Sequence, residues 1–70
     1  MKIIVTKLGT KEGEMGKGRV DFYEEDAVIH TEEFEGLVNE TEYVRLVDLP
    51  IVWRANFVSI NGPFEGRIEE

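Results

Sequence analysis

Residues 19–31 read Arg-Val-Asp-Phe-Tyr, Glu-Glu-Asp, Ala-Val-Ile-His-Thr (RVDFYEEDAVIHT). In the first five residues Val20 and Phe22 fall on one face, while Arg19, Asp21 and Tyr23 fall on the other. That period of two is the repeat of a half-buried strand. Three consecutive acids, Glu24, Glu25 and Asp26, make a polar turn, and the β-branched run that follows returns as a second strand. The stretch therefore predicts an antiparallel hairpin.

On the N-terminal side, residues 1–8 (MKIIVTKL) are rich in β-branched side chains and predict a first strand. Residues 9–18 (GTKEGEMGKG) hold four of the seven glycines and predict a loop, neither helix nor regular strand. On the C-terminal side, residues 32–41 form an acidic connection around Gly36, anchored by Phe34, Leu37 and Val38. Residues 42–49 (EYVRLVDL) alternate again, Tyr43, Arg45, Val47 and Leu49 against Val44, Leu46 and Asp48. Pro50 lacks an amide donor and ends that strand or marks an edge or bend. Residues 53–56 (WRAN) read as one helical turn, and residues 57–60 (FVSI) as a strand. Asn61-Gly62 is the strongest two-residue hairpin signal in the chain, and it leads through Pro63 to a return strand in which Phe64 and Ile68 share a face.

No segment keeps apolar residues at i, i+3, i+4 and i+7 over three turns, so no long helix is predicted. The expectation is an all-β fold: a small antiparallel roll or partly open barrel of five to six short strands, with at most one short helical turn. Closure of that kind hides strand edges. The alternative is an open sheet completed by a twin chain. No linker, repeat or low-complexity tract divides residues 1–70, so a single domain is expected.

At 70 residues the chain buries only ~60% of the surface its unfolded form exposes. Chains this small draw extra stability from disulfides, a metal or association. Cysteine is absent, which removes disulfides and thiolate zinc sites and fits a reducing compartment. The apolar start, Ile3-Ile4-Val5, is broken by Lys7 with no signal-peptide core behind it, so a cytoplasmic location is expected. Self-association is the remaining source of stability.

Eight basic side chains face 15 acidic ones, a formal net charge of −7. Residues 1–20 sum to +3, residues 21–49 to −9 and residues 50–70 to −1. Such a field repels phosphate backbones and attracts cations, and it also keeps a small domain dispersed.

The sequence is poor in catalytic signatures. Gly13-Glu14-Met15-Gly16-Lys17-Gly18 resembles a phosphate loop only in composition, because glycine stands after Lys17 where a magnesium-binding hydroxyl is required. A mobile tip with Met15 as an adaptable apolar contact is the reading preferred. His30, the one histidine, lies among carboxylates that match no calcium loop and offers one nitrogen donor where a metal needs several ligands. Ser59, the one serine, sits mid-strand and not on a strained elbow. No cofactor, metal or catalytic residue is therefore expected.

Two classes of partner remain. A small barrel presenting Tyr23, Tyr43, Trp53 and Phe57 beside Arg19, Arg45, Arg54 and Arg67 suits nucleic acid, but the net charge opposes it. An acidic surface that imitates nucleic acid has no motif behind it. Residues 47–57 hold more large apolar side chains than one face of one strand buries, and tryptophan and arginine are enriched at binding hot spots. Trp53 either closes one end of the barrel or belongs to an interface. The expectation is a non-enzymatic protein-interaction module, self-associating, with an acidic face for a basic protein. Its interface residues would be Met15, Tyr43, Val47, Leu49, Trp53 and Arg54.

Overall fold

The computed structural model describes residues 1–10, 12–49 and 54–70. They form six strands: β1 (Lys2–Leu8), β2 (Gly16–Glu24), β3 (Ala27–Gly36), β4 (Tyr43–Leu46), β5 (Arg54–Asn61) and β6 (Phe64–Glu69). Two three-stranded antiparallel sheets result, ordered β4-β1-β6 and β3-β2-β5. They share one core but do not close into a barrel, and no described residue is helical.

The core is assembled from alternate residues of the two central strands. Ile3 and Val5 of β1 meet Val20 and Phe22 of β2, and Leu8, Phe34, Val47 and Phe64 complete the cluster. Strict alternation from Val5 would turn Leu8 outward. Between Val5 and Lys7 the pairing with β6 slips by one residue, and this bulge returns Leu8 to the core. A row of rings crosses the interior, with centroids 5.5 Å apart for Phe57 and Phe64, 5.6 Å for Phe64 and Phe34, and 6.1 Å for Phe34 and Tyr43. These are the separations at which aromatic pairs attract.

The β2–β3 hairpin forms where the alternating stretch predicts it, Glu24 opposite Ala27 across a turn at Glu25 and Asp26. Four expectations need correction. First, strand β2 begins inside the glycine-rich segment, at Gly16. A side chain on Gly18 would stand 2.4 Å from Cδ2 of Phe64, and one on Gly16 would stand 2.6 Å from the Gly9 amide nitrogen. Glycine here makes room for neighbours and does not break the strand. Second, residues 32–36 are not a connection, because β3 runs on to Gly36 and is followed by a backbone bridge between Val38 and Leu8.

Third, Asn61-Gly62 does not close a hairpin. Asn61 remains in β5 opposite Lys17, while β6 pairs with β1, so the chain changes sheets at this corner. Gly62 has φ +78°, Pro63 has no amide proton with which to extend a ladder, and Ser59 Oγ donates to the Gly62 carbonyl. Fourth, Arg54, Ala55 and Asn56 are extended within β5 and form no helical turn; Trp53 lies outside the described residues.

Candidate functional site

The pairing pattern of β4 follows from one hydrogen-bonded couple. The Val47 amide donates to the Met1 carbonyl at 2.9 Å, and the Met1 amino group donates to the Val47 carbonyl at 3.1 Å. Antiparallel ladders alternate such couples with non-bonded ones. With Ile3 opposite Arg45 and Val5 opposite Tyr43, those two residues of β4 turn their peptide groups toward β1. The peptide groups of Val44 and Leu46 consequently point away from β1, along an edge with which no other strand pairs among the described residues.

Natural sheets shield their edges with charges, bulges or prolines. Strand β3 has an unpaired extra residue at Ile29 and carries Glu32, Glu33 and Glu35. Strand β5 has one at Ile60, and β6 alternates Glu65, Arg67 and Glu69 along its outer face. β4 has neither device: its pairing with β1 is regular, and its outer face bears Val44, 49% exposed, and Leu46, 76% exposed. Next to Val44 on the same face lies Ile4 of β1, and next to that Arg67 of β6. The Arg67 guanidinium crosses β1 to reach Glu42 at 2.9 Å and also bonds Glu69 at 2.8 Å, so its stem runs over Ile4, which is 4% exposed. The two carboxylates hold Arg67 well above its ordinary basicity, and Arg67 in turn lowers Glu42.

On the inner face, Arg45 fills the gap between β4 and β3. Its Nη1 donates to Glu32 Oε1 at 3.1 Å and to the Glu33 carbonyl at 2.8 Å, and its guanidinium carbon lies 4.0 Å from the centre of the Phe34 ring. Nε and Nη2 both reach the Tyr43 hydroxyl at 3.4 Å. Burial opposes the Arg45 charge, but the bonds to Tyr43 and Glu32 outweigh it and raise the guanidinium above its usual value. Glu32 also bonds His30 Nε2, and this bond, with help from Arg45 against partial burial, draws its carboxyl below the ordinary 4.5. Arg45 thus closes the mouth of the roll, with Leu37, Val38 and Tyr43 around a shallow groove outside it.

The residues expected at an interface do not converge. Tyr43 stands at this edge, exposed. Val47 is buried and Leu49 packs against the core, so both side chains are committed to the fold of the single chain. Arg54 lies over the Tyr23 ring at 4.4 Å, on a strand of the other sheet. Met15 is exposed in the loop before β2. Trp53 is outside the described residues. Val44 and Leu46 were missed, because alternation alone does not say which face of a strand meets solvent.

The aromatic platform disperses too. Phe57 belongs to the interior row, Tyr23 sits under Arg54, and Tyr43 leans edge-on against Phe34. Part of the charge asymmetry along the chain is folded away. Lys17 and Arg19 in the first half of β2 face Glu35 and Glu33 of the acidic β3. Arg19 Nε also holds both carboxylate oxygens of the buried Asp21 at 3.1 Å. Among the described residues no three histidine or carboxylate groups converge as a metal-ligand set, and no helix is long and apolar enough to cross a membrane. In comparisons with family models, curated proteins and solved structures, nothing matches this chain.

Proposed function

We propose that this chain is a non-enzymatic protein-interaction module of the cytoplasm that self-associates through the free edge of β4. One observation carries the reading: β4 is regular, unbulged and uncharged on its outer face, and Val44 and Leu46 stand exposed at its rim. Unshielded strand edges of this kind are templates for adding a strand. The cysteine-free composition and small core favour association as a source of stability. The acidic part of the proposal contracts to the β2–β3 turn, where Glu24, Glu25 and Asp26 are exposed beyond the paired charges of the hairpin. That turn would meet a basic protein, and the edge would meet another strand.

Sedimentation equilibrium over a concentration series tests the reading. An edge of four residues is short, so the series must reach about 1 mM, the range of small, weak interfaces. Mass should rise with concentration, and Leu46→Lys should weaken association tenfold or more without altering the far-UV spectrum. A strict monomer across the series refutes self-association.

A further inference from the structure

Resting on that reading, we infer that a second copy docks antiparallel, β4 against β4, about a two-fold axis through Val44. The symmetry leaves few choices. In an antiparallel pair, facing residues share a face, and both direct their peptide groups either toward the partner or away from it. A two-fold axis must therefore pass through a residue and not between two.

The charges and apolar side chains discriminate among the residues of β4. An axis at Arg45 sets two guanidinium groups face to face and puts Glu42 opposite Asp48, and like charges directly opposed are destabilising. An axis at Tyr43 places Val44 against Glu42 and Leu46 against Glu40, so no two apolar side chains of the outer row meet. One at Leu46 joins Leu46 to its own copy but flanks that pair with Lys2 on each side and sets Val44 against Asp48. An axis at Val44 joins Val44 to its own copy, and the peptide groups of this pair are the ones β1 leaves free. The outer row then reads Arg67, Ile4, Val44, Val44, Ile4, Arg67 across six strands, an apolar centre with a cation at each end. On the inner face Tyr43 stands opposite Arg45 of the second copy, twice over. That pairing repeats across the axis the contact Arg45 already makes within its own chain, where it lies 5.5 Å from the Tyr43 ring. Leu46 comes opposite Glu42 of the second copy, and Lys2 stands beside Leu46 in the same row, so no like charges oppose each other there. The product is a continuous six-stranded sheet in which both β4 edges disappear.

Because the chain contains no cysteine, single-cysteine variants report the register directly. Across the axis, Val44 and its copy have Cα atoms about 5.5 Å apart, within disulfide range. Leu46 and its copy are offset by four residues, roughly 13 Å. Under mild oxidation at a concentration where the native chain associates, Val44→Cys should form covalent dimer at least tenfold faster than Leu46→Cys or Arg45→Cys. Folding of each variant is checked by far-UV circular dichroism. Faster crosslinking of Arg45→Cys or Leu46→Cys overturns the Val44 axis. If the native chain associates while none of the three crosslinks, the register and the edge both fail, but self-association stands on another surface. A monomeric native chain removes the inference together with the reading beneath it.

Discussion

Gly18 tests whether the interior is packed as described. It lies in the central strand β2 with ordinary extended backbone, so Gly18→Ala brings no conformational penalty and, in a strand, gains about 0.5–1 kcal/mol. The new methyl, however, would sit 2.4 Å from Cδ2, 2.5 Å from Cγ and 2.9 Å from Cε2 of Phe64. That ring is buried and held between Phe34 and Phe57, at 5.6 and 5.5 Å, so it has no free direction in which to retreat. Overpacking of this kind costs about 1–3 kcal/mol. The net expectation is a loss of about 1–2 kcal/mol, a fall in Tm of about 5–15 °C for a domain of this size. A chain of 70 residues has a stability of only about 4–10 kcal/mol. The assay is urea unfolding followed by far-UV circular dichroism, all variants at one protein concentration because association shifts the midpoint. Phe64→Leu shrinks the obstructing ring, and the double variant should lose less than the sum of the two single losses by at least about 0.5 kcal/mol. An unchanged or raised midpoint for Gly18→Ala, or strict additivity in the cycle, would refute the packing of β2 on β6.

Glu32 supplies a pH dependence whose sign is fixed by its lowered pKa. Its stabilising contribution is present above the unfolded value near 4.5 and is lost as the pH falls through the lower folded value. Glu32→Gln should therefore melt below the native chain at pH 6, with the gap shrinking in acid; a gap that persists at pH 3 counts against the Arg45–Glu32–His30 chain. Asp21→Ala removes the buried acceptor of Arg19 Nε and Thr31 Oγ1, but both donors reach water. The loss in urea should therefore be about 1 kcal/mol, the net worth of the hydrogen bonds, and a loss above about 3 kcal/mol would count against their exposure. Glu42→Ala, which frees one arm of the exposed Arg67, should leave the midpoint within error, and a large loss there would show that Arg67 matters to the fold beyond shielding Ile4.

By itself the sequence determined what local periodicity and covalent chemistry can determine. The period-two runs around Val20 and Phe22 placed the central hairpin, and the absence of a 3.6-residue repeat excluded long helices. Only the tertiary structure decided how the strands divide into sheets, because Asn61-Gly62 has the same local preference whether the next strand turns back on β5 or crosses to β1. Gly16 and Gly18 read as breakers because their role, leaving room for Gly9 and Phe64, is visible only when distant residues meet. The segment charges of +3 and −9 lie apart along the chain, yet Lys17 and Arg19 of the first stand opposite Glu35 and Glu33 of the second. The β4 edge was illegible for the same reason. Val44 and Val47 are chemically identical, and the ladder to β1, together with the core behind it, decides that Val47 is buried while Val44 faces water with its peptide groups turned away from β1.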